Sequence, residues 1–170
     1  FIKLNISNDI YNIYNINLLS LNVFFPFYLE NPKNMKDKLA QFYLTYFPKI
    51  AFQNSKLNYL IQNKIKIGFI SKYFNNSSTG KLIRGLINNL PNDKYHKILF
   101  IVEGSNTDHI TKDITQNVNE VFKLSSNLFE AHKTISNQEL NIILYPEIGQ
   151  DIFSYLLAFA RLAPFQCVHG

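Results

Sequence analysis

Residues 64–71 read KIKIGFIS and form the stretch of sequence that decides the fold. Alternating apolar positions lead into a continuous apolar core, and the chain becomes polar at once in residues 72–80, KYFNNSSTG. Leucine and isoleucine in residues 79–90 then recur at the spacing of an amphipathic helix. A strand, a polar loop and a helix in this order are the opening unit of an α/β sheet. In such sheets the loop after the first strand commonly binds ligands.

The rest of the chain repeats this alternation. Further strands are predicted at 95–102, 120–124, 140–145 and 165–168, and the helices between them at 107–117, 127–138 and 151–161. Crossovers of this length suit parallel pairing, so the residues predict an α/β fold with a Rossmann-like parallel sheet in the order 3-2-1-4-5. In that order the loops 72–79 and 146–151 leave neighbouring strands at the switch point, and we expect them to face each other across one crevice.

The first third of the chain has a different pattern. Asn31 and Pro32 predict the start of a helix, apolar residues follow at helical spacing, and Pro48 ends it. We therefore predict a helical lead-in or linker over 1–63 and a Rossmann-like lobe over 64–170. Residues 23–29 form an aromatic patch that must pack against another surface. The chain begins at Phe1 without a Met and stops at Val168-His169-Gly170 without a terminal helix. We therefore expect both ends to be cuts in a longer protein, with the lobe truncated at its C-terminal end.

Composition excludes several classes of protein. Hydrophobic residues make up 46% and charged residues 17% of the chain, which is typical of a globular protein and not of a disordered one. The net charge of +5 comes from scattered lysines, so no nucleic-acid partner is expected. No apolar run approaches the roughly 18 residues that span a bilayer. Cys167 is the one cysteine, which fits a cytoplasmic protein, and its place in the last strand predicts a buried thiol.

The loop after the first strand lacks the common nucleotide-binding fingerprints. It contains no GxGxxG, and around the Gly80-Lys81 pair Asn75 replaces the first glycine of a Walker A loop while Leu82 replaces its Ser or Thr. The pattern therefore disfavours NAD binding and P-loop ATP hydrolysis. Small hydroxyl and amide side chains remain at a helix N-terminus, where an anion or a polar ligand can bind. A plain Ser/Thr helix cap explains the same residues equally well.

Other titratable side chains give weaker signals. The histidines show no metal-ligand spacing, so no metal site is expected; surface or structural roles are favoured for His96, His109 and His132. His169 follows the fifth strand on the ligand side of the sheet. The carboxylates of Glu147 and Asp151 could do acid–base work. The favoured interpretation is that Asp151 caps a helix and that Glu147 is solvated.

Three segments carry a resemblance to a known family. They are Lys64–Gly85 (KIKIGFISKYFNNSSTGKLIRG), Tyr145–Asp151 (YPEIGQD) and Leu157–Val168 (LAFARLAPFQCV), and residues 27–47 resemble the helical link that precedes them in that family. Together they resemble the catalytic region of the O-linked N-acetylglucosamine transferase/SPINDLY family, especially bacterial members with tetratricopeptide repeats. The resemblance implies the first lobe of a two-lobed GT-B glycosyltransferase, with a second catalytic lobe and upstream helical repeats outside this chain.

The same resemblance implies a reaction and a set of site residues. The reaction would be inverting transfer of N-acetylglucosamine from UDP-N-acetylglucosamine to Ser or Thr hydroxyls of proteins, without a metal or other cofactor. Family members carry a His in the loop after strand one, and Ser77 stands there in this chain. Serine cannot act as a base near neutral pH. The resemblance thus implies Ser77 as a catalytic position. The crevice between the two loops adds His169 as a second catalytic candidate, and its predicted sugar-binding or substrate-binding positions are Asn76, Ser78, Thr79, Gly149, Gln150 and Asp151.

Two alternatives to a protein-modifying enzyme remain open. The chain could be a degenerate, non-catalytic lobe that acts as a binding or scaffold module, or part of a transferase that acts on glycan or lipid acceptors. In every enzymatic interpretation this fragment alone is expected to be inactive, because half of the cleft would be missing.

Overall fold

The computed structural model describes residues 32–57 and 63–169. Helices in this part of the chain are α1 (Pro32–Tyr46), α2 (Ser78–Asn89), α3 (His109–Gln116), α4 (Leu128–Ser136) and α5 (Ile152–Leu157). The strands are β1 (Ile65–Ser71), β2 (Tyr95–Val102), β3 (Glu120–Leu124), β4 (Ile142–Tyr145) and β5 (Phe165–Val168). The predicted aromatic patch at 23–29 lies outside the described residues.

The five strands form one parallel sheet in the order β3-β2-β1-β4-β5. Its central register is set at Gly68, which pairs with Ile98 of β2 on one side and with Ile143 of β4 on the other. The predicted Rossmann-like fold and strand order are therefore confirmed. Since all strands run in the same direction, the loops that leave β1 and β4 lie beside each other at one edge of the sheet.

The sheet has a hydrophobic core on each of its two faces. Alternate residues of a strand point to opposite faces. Phe69 belongs to the cluster that includes Ile83 of α2 and Ile114 of α3. Ile70 belongs to the other cluster, which includes Ile135 of α4 and Phe153 of α5. Each face of the sheet is thus covered by a helix pair, which holds the strand ends at fixed positions.

The end of the lead-in packs on the sheet domain. The Tyr43 side chain of α1 is 1% exposed, and its ring centroid lies 5.9 Å from that of Tyr155 and 6.3 Å from that of Phe159. Further along, the backbone N–H of Arg161 donates to the carbonyl of Phe52 at 2.7 Å. These contacts tie the described part of the lead-in to the region of α5. The division into two units at residues 63 and 64 remains a prediction.

Two details differ from the sequence-based expectation. Helix α5 ends at Leu157 instead of continuing to Arg161, because the Arg161 backbone pairs with the segment around Gln53 in an isolated parallel bridge. Cys167 lies in β5 as predicted, but its thiol is exposed and not buried. The reason is that β5 is the edge strand of the described sheet, where side chains have neighbours on fewer sides.

Lys97 shows how a charged residue can be accommodated in this core. Its side chain is 2% exposed, and its Nζ donates to the carbonyl oxygens of Ile87 at 3.0 Å and Leu90 at 3.2 Å. These carbonyls end helix α2, where the helix leaves acceptors unpaired and the dipole favours a cation. Burial nevertheless lowers the pKa of Lys97. The lysine therefore caps the C-terminal end of helix α2 near the start of β2.

Candidate functional site

Glu147 lies between the ends of β1 and β4. Ser71, the last residue of β1, donates its hydroxyl hydrogen to Glu147 Oε2 at 2.7 Å. The Glu147 side chain is buried, with 4% exposure, so the expectation of a solvated Glu147 was wrong. The carboxyl can be buried because the Ser71 hydroxyl donates a hydrogen bond to it from the adjacent strand end. Among the described residues, no hydrogen-bond partner reaches Oε1.

The electrostatic surroundings of Glu147 favour its protonated form. Burial is the main cause and raises the pKa of Glu147 to about 7, and the negative charge of Asp151 acts in the same direction. The hydrogen bond from Ser71 opposes them, and the backbone N–H groups of Lys72 and of Glu147 itself do so with smaller effects. A carboxyl group with such a pKa can exchange a proton near neutral pH, which ordinary carboxylates do poorly.

Asp151 caps helix α5, as the favoured interpretation of the sequence expected. Its Oδ2 accepts hydrogen bonds from the backbone N–H of Ser154 at 2.9 Å and from the Ser154 hydroxyl at 3.1 Å. Its Oδ1 lies 3.7 Å from Nζ of Lys72, whose side chain is 32% exposed. This ion pair places the partly exposed ammonium group of Lys72 between the loops that follow β1 and β4.

Tyr73 joins the two loops on their exposed side. Its hydroxyl donates to the backbone carbonyl of Gln150 at 3.2 Å. Gly149, the preceding residue, has a φ of 100°, a conformation that favours glycine. Burial, followed by the charges of Asp151 and Glu147, raises the pKa of Tyr73, so its phenol stays neutral. The predicted convergence of the two loops is observed, and direct contacts hold them together.

Ser77 is the N-cap of helix α2. Its hydroxyl oxygen accepts from the backbone N–H of Gly80 at 3.0 Å, and its hydrogen is donated to the carbonyl of Tyr73 at 3.0 Å. Gly80 is needed for this turn, since a β-carbon there would lie 2.0 Å from the carbonyl oxygen of Asn75. The helix-cap interpretation of this loop is therefore observed, and any catalytic role of Ser77 remains a prediction.

Asp108 links the start of helix α2 to the start of helix α3. Its Oδ1 accepts from the backbone N–H groups of Ile110 and Thr111, at 2.9 Å and 3.2 Å. Its Oδ2 accepts from the backbone N–H of Asn76 at 2.6 Å. Desolvation alone would raise the pKa of Asp108, but these three hydrogen bonds outweigh it and lower the pKa. The Asp108 carboxylate therefore binds a backbone N–H of the loop before helix α2, where the sequence predicts that an anion can bind.

The remaining predicted site residues differ in exposure. Thr79 is buried in the first turn of α2, with 8% exposure, whereas Asn76, Ser78 and Gln150 are exposed. His169 is also exposed, and its backbone N–H donates to the carbonyl of Tyr145 at 3.0 Å. His169 thus lies at the edge of the sheet where the strands end, and its nearest strand end is that of β4.

A cavity of about 580 Å³ lies one strand further along the same edge, at the ends of β2 and β3. Its lining includes Glu103, which directly follows β2, Lys123 near the end of β3, and the turn at Gly104 with a φ of 78°. A β-carbon at Gly104 would lie 3.9 Å from Cε of Lys72, so this lysine borders both regions. This cavity was not predicted from the sequence, although the short polar turn directly after strand two is a signal for it.

Two histidines outside the site have structural surroundings. His132 is 2% exposed and stacks on Phe52 at a centroid distance of 5.1 Å, and burial lowers its pKa to about 4. His96 contacts Glu120 at 2.7 Å near the opposite edge of the sheet. Within residues 32–57 and 63–169, no group of three His, Cys, Asp or Glu side chains is placed to hold a metal ion. None of the helices in these ranges is long and apolar enough to cross a membrane.

Comparison with known proteins finds similarity among solved structures. No protein-family model matches the chain, and neither does any curated protein. Among solved structures, an O-GlcNAc transferase mutant from Thermobaculum terrenum is similar with a TM-score of 0.52 at 13% identity. The similarity covers 62% of this chain and 20% of the transferase chain. At this identity the similarity concerns the fold alone, and it shows that the chain has a glycosyltransferase-like Rossmann fold.

Proposed function

We propose that this chain forms the first lobe of an inverting glycosyltransferase. The enzyme would transfer N-acetylglucosamine, or a related sugar, from a UDP-sugar to Ser or Thr hydroxyls of proteins. The observation that carries the proposal is the junction of the loops after β1 and β4, built around Glu147 and Asp151, in a fold similar to that of an O-GlcNAc transferase. In open α/β sheets the ends of such strands are where ligands bind.

Charge at the junction supports transfer from a nucleotide diphosphate. When the bond between the sugar and the diphosphate breaks, negative charge builds up on the leaving oxygen, and a nearby cation stabilises it. Lys72 is a partly exposed cation at this edge, where Asp151 holds its Nζ at 3.7 Å. We assign Lys72 to the leaving diphosphate. The exposed amide and hydroxyl groups of Asn76, Ser78 and Gln150 are assigned to the sugar.

A second candidate function is a non-catalytic binding module. The observation that favours it is the state of Ser77, which replaces the family histidine and has its hydroxyl engaged with Gly80 and Tyr73 in the helix cap. In this candidate the lobe keeps the fold of a transferase but binds a partner without turnover.

The experiment that separates these functions uses the full-length protein that carries this chain. It is incubated with UDP-N-acetylglucosamine labelled in the sugar, and label is measured in protein, glycan and lipid fractions together with released UDP. We expect label in protein with the full-length protein and none with residues 1–170 alone. Label in glycan or lipid would correct the acceptor. No transfer, together with no binding of UDP-N-acetylglucosamine, would leave the binding module as the function.

A matched pair of variants tests the loop after β1. Ser77→His restores the family histidine, and Ser78→His places the same ring one residue further along. If the position of Ser77 is catalytic, Ser77→His raises the transfer rate and Ser78→His does not. Equal effects of the two variants would show that the position has no special role.

A further inference from the structure

One oxygen of the Glu147 carboxyl, Oε1, has no hydrogen-bond partner within the described part of the chain. Its Oε2 has the Ser71 hydroxyl at 2.7 Å, whereas Oε1 is buried and has no hydrogen-bond partner among the described residues. Burying a polar group without a hydrogen bond is unfavourable, so such groups in folded proteins require an explanation. A hydrogen-bond donor that arrives with a ligand would supply the missing partner.

The location of Glu147 indicates which kind of ligand group could donate a hydrogen bond to Oε1. The residue lies at the end of β4 directly beside the end of β1, at the point where the proposed sugar transfer takes place. An inverting transfer needs a base for the acceptor hydroxyl, and Ser77 cannot titrate near neutral pH. Glu147 is the carboxyl at this junction with an oxygen unoccupied, because Asp151 uses its own oxygens to cap α5 and to hold Lys72.

We propose that Glu147 is the general base of the transfer and that its Oε1 accepts the proton of the acceptor hydroxyl. This assignment rests on the proposed function. In the step, the acceptor oxygen forms a bond to C1 of the sugar while the bond between C1 and the diphosphate oxygen breaks. The electron pair of that bond leaves with the diphosphate, and the hydroxyl proton moves to Glu147 Oε1.

Access to Oε1 requires the two loops to separate locally. The hydrogen bond from Tyr73 to the carbonyl of Gln150 joins them on the exposed side. An exposed hydrogen bond between neutral groups contributes little net stability, because water replaces either partner. Binding of an acceptor can therefore open this contact, and the acceptor hydroxyl then takes the place next to Glu147.

The charged groups around Glu147 are compatible with this role. Asp151 faces it from the start of α5, and the neutral Tyr73 faces it from the loop after β1. Lys72, in the same loop, pairs with Asp151. Burial, reinforced by Asp151, raises the pKa of Glu147 to about 7. A base is most effective when its pKa lies near the working pH, since it is then both deprotonated and strong enough to take the proton.

The test compares Glu147→Gln with Glu120→Gln in the full-length protein, with labelled UDP-N-acetylglucosamine. The glutamine oxygen can still accept from the Ser71 hydroxyl, so circular dichroism should show a folded protein. We expect Glu147→Gln to reduce the transfer rate by roughly 100-fold or more, as loss of a general base does. Glu120 is exposed and pairs with His96 away from the site, so Glu120→Gln should keep the wild-type rate.

The pH profile provides a readout that a structural role would not change. In the wild type kcat/KM should rise with pH through a pKa of about 7, and this limb should be absent from the residual activity of Glu147→Gln. An active wild type with a Glu147→Gln variant within threefold of its rate, or with an unchanged pH profile, would overturn this assignment alone. An inactive wild type would overturn the proposed function and this assignment with it.

Discussion

Replacing Glu147 by Gln should stabilise the protein at alkaline pH. The pKa of Glu147 is raised from 4.5 to about 7 in the folded protein, mainly by burial. The folded state therefore favours the protonated carboxyl, so the stabilising contribution is complete below pH 4.5 and is lost as the pH rises through 7. Because a tenfold difference in proton affinity corresponds to about 1.4 kcal/mol, the loss amounts to about 3 kcal/mol. Glutamine is uncharged at every pH and avoids this loss.

Urea unfolding of wild type, Glu147→Gln and Glu120→Gln between pH 4.5 and pH 8.5 measures the effect. The free energy of unfolding of Glu147→Gln, relative to wild type, should increase by about 3 kcal/mol across this range. The exposed Glu120 serves as the matched control and should produce a change below about 1 kcal/mol, as is usual for a surface ion pair. A difference between Glu147→Gln and wild type that stays constant with pH would show that burial does not raise the pKa of Glu147.

Four other substitutions test individual contacts by urea unfolding. Gly80→Ala should destabilise the protein by about 1–3 kcal/mol because its β-carbon would lie 2.0 Å from the Asn75 carbonyl oxygen. Gly85→Ala is the matched control in the same helix, where an added β-carbon would meet no atom within 4 Å, and it should stabilise the protein by about 0.5–1 kcal/mol. Because burial favours the neutral ring of His132, wild type should lose about 3 kcal/mol of stability as the pH falls from 6.5 towards 4. His132→Leu should remove most of this loss. Lys97→Met should cost about 1–3 kcal/mol because two helix carbonyls lose their buried donor.

The sheet could be predicted from sequence because its signals are local. The apolar run that ends at Ser71 has the period of a strand, and the helix signals that follow it have their own period. The strand order then follows from the rules for parallel sheets. Even the helix cap at Asp151 is a local signal, because a cap depends on residues two or three positions away.

The burial of Glu147 could not be predicted, because it depends on a contact across 76 residues of sequence. A glutamate in a polar loop is solvated by default, and only the pairing of β1 with β4 brings the Ser71 hydroxyl to it. The buried Lys97 was missed for the same reason. Exposure of Cys167 depends on which strand forms the edge of the sheet, a property of the assembled fold and not of the cysteine.

In the proposed function the nucleotide sugar binds at the edge of the sheet where β1 and β4 end. Hydrogen–deuterium exchange of the full-length protein, with and without UDP-N-acetylglucosamine, locates this binding. We expect slower exchange in residues 72–79 and 146–151 when the ligand is present, and unchanged exchange in residues 91–94 at the opposite edge. Unchanged exchange in both loops at a saturating concentration of the nucleotide sugar, or protection confined to the opposite edge, would contradict the proposed function.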